Sequence, residues 1–244
     1  MTSSARRARE QARQRAAAAA KRQRQRRIVL LVVVISLVVL IGGGIAFQAW
    51  RTLRAPSAAP TTGSPSLTPV AVTEGKPIVL GNAEAPVKLS FYEDFHCPHC
   101  AEFEEEYGPV LSDAQDSGKA ALEVYPMSFI DAGSAAAANA MACAAEAGFG
   151  SQYYQGLFAN HTLQWNDDQL IELAKQITPV PGEAFETCVT SRGHAGWVDS
   201  INAAADAKGI NSTPTMFLDG TRLDLASLTP EALQTKIEEA ATTR

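Results

Sequence analysis

Residues 28–47, IVLLVVVISLVVLIGGGIAF, carry no charged side chain, and that run limits what the chain can become. At ~1.5 Å per residue such a stretch makes a helix of roughly 30 Å, the thickness of a bilayer's hydrocarbon core. A helix in a globular core normally keeps a polar stripe, and this one has none to keep. The sequence therefore predicts one membrane-spanning helix over residues 28–48. A cleaved signal sequence is the rival reading. Its apolar core usually covers ~7–15 residues and ends at a small-x-small site, whereas Ala46-Phe47-Gln48 fails at its last position. An uncleaved anchor is favoured. No cysteine lies near the run, which excludes lipoprotein processing.

Charge is distributed unevenly around this span. Residues 1–27 hold ten Arg or Lys and a single acid, Glu10, whereas residues 55–244 hold nine Arg or Lys against 25 acids. A basic tail alone would suggest nucleic acid, but one that leads into an apolar span reads as a topology signal. The excess of cations before the span places the N-terminus in the cytoplasm and the acidic body outside, as a single-pass protein of the cell membrane. Residues 1–27 are then a basic cytoplasmic tail, disordered or loosely helical. Residues 49–75 hold Pro56, Pro60, Pro65 and Pro69 among Ser, Thr and Ala, a composition that buries no core and predicts a flexible linker. The folded body is expected over 76–244.

Within the body, PIVL (77–80) and VKLSFYEDF (87–95) read as strands. Cys97-Pro98-His99-Cys100 follows at once. Beyond it Phe103, Tyr107, Val110 and Leu111 recur at helical spacing, so the cysteine pair sits where a strand hands over to a helix. LEVYPMSF (122–129) is another strand. A helical block covers about 132–209, including DDQLIELAKQI (167–177) behind the N-cap candidate Asn166. STPTMFLDG (212–220) returns to strand character, TRLDL (221–225) pairs with it, and a last helix starts at Pro230, capped by Thr229.

This order, with Cys97-Pro98-His99-Cys100 after a strand and Thr213-Pro214 before one, resembles the DsbA-like thiol–disulfide oxidoreductases of the thioredoxin-like superfamily. It implies an α/β, thioredoxin-like fold with a helical insertion, here preceded by a single transmembrane helix. A lone Cys-x-x-Cys is a weak signal; the downstream Thr-Pro and the exported context make it specific. The resemblance implies catalytic roles for Cys97, Pro98, His99 and Cys100. At the N-terminal end of a helix a Cys97 thiolate is favoured by free N–H groups and the dipole. Cys100, a turn further in, resolves the mixed disulfide. An imidazole at His99 near the thiolate would stabilise the reduced pair and so make the disulfide more oxidising. Thr213 and Pro214 are the implied substrate-binding pair, with a cis proline opposite the cysteines and the Thr213 backbone offered to an extended peptide. Many relatives carry a buried acid six residues before the first cysteine. Phe91 stands there, and Glu93 and Asp94 are both nearby, so the proton relay is left unassigned. Phe95 and His96 are expected to edge the substrate groove.

Cys143 and Cys188 belong to no Cys-x-x-Cys. In an oxidising compartment they are expected to form a structural disulfide, as some relatives with such an insert do; the alternative is two buried thiols. A c-type haem site is excluded because Ala101, not His, follows Cys100. A zinc site over His96, Cys97, His99 and Cys100 is disfavoured by their crowding, so no metal and no soluble cofactor is expected. The expected function is a membrane-tethered oxidase that introduces disulfides into exported proteins bearing free thiols. The resemblance implies a membrane reoxidant of DsbB or vitamin K epoxide reductase type, and no nucleic acid partner. The same fold also serves thiol reductases and isomerases, for instance in cytochrome c maturation, and a redox-inert peptide-binding chaperone is the non-enzymatic alternative.

Overall fold

The computed structural model describes residues 3–57, 68–178 and 181–243. The chain divides into two compact units between Leu53 and Arg54.

The first unit is one helix, α1 (Ser3–Leu53). Its segment Val29–Leu53 is long and apolar enough to cross a membrane, a test that a signal sequence near an N-terminus also passes. The basic stretch before it, expected as a disordered or loosely helical tail, continues the same helix from Ser3.

The second unit is built on a five-stranded mixed sheet of order β1-β3-β2-β4-β5: β1 (Ile78–Leu80), β2 (Val87–Glu93), β3 (Ala120–Pro126), β4 (Thr215–Leu218) and β5 (Thr221–Arg222). β2 and β3 run parallel, with Phe91 opposite Val124, while β1, β4 and β5 join antiparallel. Parallel neighbours need a crossover, and α2 (Pro98–Asp116) supplies it, carrying the cysteine pair at its first turn. On β2, Val87, Leu89 and Phe91 are fully buried, and so are Tyr92 and Glu93 at its end. The C-terminal end of the central strand is therefore covered on both sides.

Five helices, α3 (Ala132–Glu146), α4 (Gly150–Ala159), α5 (Asp167–Ile177), α6 (Glu183–Ser191) and α7 (Ala195–Ala207), separate β3 from β4. Alanine lets α3 lie buried along nearly its whole length. Its N-cap, Asp131, accepts from the N–H groups of Gly133 and Ser134. Asn166 and Thr229 cap α5 and α8 (Pro230–Thr242), as their positions before the helices predict. The sequence reading does not separate α4 within that helical block. It holds two glycines and two adjacent tyrosines and has no side-chain cap, so propensity gives it no start signal.

Two parts of the expected linker belong to the body. Gln169 donates to the Arg54 carbonyl and Gln176 to that of Pro56, and the Ser57 N–H donates to Asn160. Val70 N–H reaches the Ala145 carbonyl, and the Ser200 hydroxyl accepts from Gly75 N–H. Residues 49–53 of the expected linker instead continue α1, and residues 58–67 lie outside the described residues.

Cys143 on α3 and Cys188 on α6 form a disulfide across 45 residues, with S–S 2.05 Å. Closing a loop of that length restricts the unfolded chain, so replacing both residues by serine is expected to cost about 2–4 kcal/mol. Urea unfolding midpoints of the double variant and the parent check this.

Candidate active site

β2 ends at Glu93, and the next residues turn the chain sharply into α2. Asp94 holds the turn. Its carbonyl accepts from Cys97 N–H at 2.9 Å, and its carboxylate accepts from the N–H groups of His96, Phe129 and Ile130 and from the Ser134 hydroxyl. His96 Nδ1 lies 2.6 Å from Asp131 Oδ1. The residues before the pair are thus tied to the start of the helical insert. Phe95 and His96, expected to edge a substrate groove, are instead buried.

Cys97 is the N-cap of α2, with extended backbone and no side-chain cap of its own, and Pro98 occupies the first helical turn. A proline costs nothing there, because its missing N–H would have had no intrahelical acceptor. The sulfur therefore faces the unsatisfied N–H groups of the helix. Its pKa falls to about 5, first because the Cys100 thiol donates a hydrogen bond to it, against the opposing effect of burial, and further through the Thr213 side chain and the backbone N–H groups of Cys100 and His99. Cys100 is fully buried, and its thiol is pushed far up by burial, by the bond it gives Cys97 and by the negative charge of Glu93. Both cysteines are free thiols in this structure. One is suited to exist as an anion and the other as a neutral acid.

The His99 imidazole makes its hydrogen bond with Glu102, while the charge of Cys97 also bears on it. It is exposed and lies 3.0 Å from Glu102, which raises its pKa ahead of a smaller effect from Cys97. The direct bond to the sulfur comes from the His99 backbone. Opposite the pair, the Thr213–Pro214 peptide is cis, and the Thr213 carbonyl oxygen lies 3.6 Å from Cys97 Sγ.

Both acids left open by the sequence are buried, and Glu93 is the one whose charge bears on Cys100. It stands two residues after Phe91, on the same face of β2, and is 1 % exposed. Burial raises its pKa well above the carboxylate range, and the charges of Glu104 and Cys97 add to this. Phe91 itself packs against Phe103, with ring centroids 5.9 Å apart. The Tyr154 hydroxyl from α4 hydrogen-bonds both Glu93 and Glu104. Glu104, in the acidic run of α2, turns inward, and burial pushes its pKa up to about 7. The sequence carried no signal for this contact, which joins residues 50 and 61 positions apart.

A Cys-x-x-Cys delivered by a strand to a helix N-terminus, facing a Thr–cis-Pro peptide on a mixed sheet, defines a thiol–disulfide oxidoreductase with a thioredoxin-like fold. A family model described as thioredoxin matches residues 73–239, and the chain belongs to that family, in its DsbA-like group. Oxidised DsbA of Mycobacterium tuberculosis superposes with a TM-score of 0.58 at 26% identity, covering 67% of this chain and 91% of that one. The reduced disulfide bond oxidoreductase DsbG of the same organism gives 0.59 at 25% identity, covering 70% and 95%. A curated relative, the Na(+)/H(+) antiporter NhaA 3 of Salinispora tropica, is 29% identical over 144 residues, which span 59% of this chain but 22% of the antiporter.

Proposed function

We propose that the chain is a membrane-tethered oxidase that introduces disulfides into exported proteins, with Cys97 as the exchanging sulfur. The observation that carries this reading is the asymmetry of the pair: Cys97 is acidic at a helix mouth, and Cys100 is neutral and buried. Stabilising the dithiol in this way makes the disulfide form a stronger oxidant.

In the oxidised protein, a substrate thiolate attacks Cys97. The Cys97–Cys100 bond breaks, a substrate–Cys97 mixed disulfide forms, and Cys100 leaves as a thiolate that takes a proton from Glu93. A second substrate thiolate then attacks the first substrate sulfur in the mixed disulfide, which forms the substrate disulfide and releases Cys97 as an anion. The substrate loses two electrons and the protein pair gains them. Thr213, next to Pro214, presents its backbone to the substrate strand. The two sulfurs carry the electrons, so the reaction calls for no soluble cofactor. A membrane quinone-linked or epoxide-linked reductase of DsbB or vitamin K epoxide reductase type would return the pair to the disulfide.

The exposed apolar side chains of Val29–Leu53 support membrane anchoring, and the ten basic residues before it support a cytoplasmic N-terminus. The Cys143–Cys188 bridge fits an oxidising compartment. Equilibration of the protein with glutathione buffers tests the direction of the chemistry. The oxidase reading requires the pair to remain largely dithiol in mildly oxidising buffer; a pair that stays disulfide even in strongly reducing buffer is a reductase.

A further inference from the structure

The oxidase cycle leaves Cys100 in need of a proton at the moment its bond to Cys97 breaks, with a peptide lying over Cys97, the less deeply buried sulfur of the pair. We infer that this proton is resupplied from the side of the domain, through Tyr154 and Glu104, by a route separate from the peptide-binding face. The inference rests on the oxidase reading and extends it to groups outside the Cys-x-x-Cys.

Counting protons carries the argument. The Tyr154 hydroxyl oxygen is hydrogen-bonded to Glu93 Oε2 and to Glu104 Oε1. Two hydrogen bonds among three oxygens need two protons, and the phenol supplies one. The other must sit on a carboxyl. The trio therefore stores one exchangeable proton whenever both bonds are made. Burial raises the pKa of both glutamates, which is consistent with such storage.

The two ends of the trio differ. Glu93 is buried, its Oε1 finds no partner among the described residues, and its charge bears on both cysteines. Glu104 and Tyr154 line a groove of about 1010 Å³ between α2 and α4, which also reaches Pro98, Glu105 and His161. One end of the trio thus meets the sulfurs and the other meets solvent. Tyr154 has a pKa far too high to ionise, owing first to burial, so it passes a proton on only by giving one as it takes one. When Cys100 leaves, the Tyr154 hydroxyl hands its proton to Glu93 and receives the stored one from Glu104, and Glu93 passes the proton it has gained to Cys100. Glu104 is then recharged from the groove. No charge is left on the phenol, and no atom other than hydrogen moves.

The titratable groups around this trio and along the groove are Cys97 and Cys100 at the start of α2, Glu102, Glu105, Asp113 and Asp116 on the same helix, and His161 beyond α4. None of them stands between Tyr154 and the two carboxyls it bonds. Tyr154 also packs edge-on against Phe95 and Phe158, so Tyr154→Phe keeps the ring contacts and removes the hydroxyl alone.

The test is the single-turnover reduction of oxidised full-length protein in detergent by a dithiol peptide, from pH 5 to 9. Wild type is compared with Tyr154→Phe, Glu104→Gln and Glu93→Gln, and the alkylation midpoint of reduced Cys97 is read in parallel. All three variants are expected to slow reduction by roughly tenfold or more and to displace its pH profile, while the Cys97 midpoint in Tyr154→Phe stays near that of wild type. Wild-type rates and profiles in both Tyr154→Phe and Glu104→Gln overturn the inference, including the case in which only Glu93→Gln is slow. Should Tyr154→Phe not fold, Glu104→Gln at the groove decides alone. A wild-type protein that the peptide does not reduce at all overturns the oxidase reading instead.

Discussion

Cys97→Ser is expected to lose the oxidation of a reduced peptide dithiol by roughly a thousandfold or more, with the fold intact. The loss follows from the division of labour between the sulfurs. Cys97 is the one at the helix mouth, beside the Thr213 backbone, while Cys100 is sealed in the core. Serine keeps the size of the side chain but offers no disulfide to attack. Cys100→Ser is expected to behave differently. Cys97 then retains its place at the helix mouth but loses its strongest stabilising donor, the Cys100 thiol, and its resolving partner. That variant should accumulate mixed disulfides with thiol substrates, visible by mass spectrometry under non-reducing conditions. Full activity in Cys97→Ser would show the domain to be a peptide-binding module rather than an oxidoreductase.

The second large effect concerns stability. Disulfides ordinarily stabilise, yet here the dithiol form is expected to unfold at the higher urea concentration at neutral pH. The folded Cys97 thiol has a pKa of about 5, below the value of about 8.5 for an unperturbed thiol. A depressed acid contributes stability that is complete above the unfolded pKa and disappears as pH falls through the folded one. The advantage of the reduced form should therefore be largest at mildly alkaline pH and vanish towards pH 5. Between pH 5 and 7 the change should be on the order of 1–2 kcal/mol, after allowance for solvent screening of a partly open site. Urea titrations of both redox forms at several pH values measure it. An oxidised form that is more stable across the whole range contradicts the electrostatic account.

Much of the scaffold could be read before the structure. The Cys97–Cys100 pair fell between a strand pattern and a helix pattern, and α2 begins at Pro98. Asn166 and Thr229 announced α5 and α8 because a cap is a local signal, written within a few residues of the helix it starts. What was illegible depends on distant partners. His99 was read as a partner of the sulfur, but the nearby Glu102 captures its ring. Glu93 could not be told from Asp94 by alternation, because the end of β2 is buried on both faces. Glu104 sits in a run of acids that looks solvated; only the packing of α4 on α2 brings Tyr154 to it. Likewise residues 54–57 and 68–75 have a linker's composition, and their bonds to the insert are made to backbone groups, which composition does not encode.

The acidity of one sulfur underlies the direction of the chemistry, the order of stabilities and the need for a proton at Cys100. It is measured most directly by following the thiolate absorbance of the reduced protein near 240 nm as pH is varied, with Cys97→Ser as the blank. A midpoint close to pH 5 is the expected result. A midpoint near that of free cysteine, at about 8.5, would contradict it.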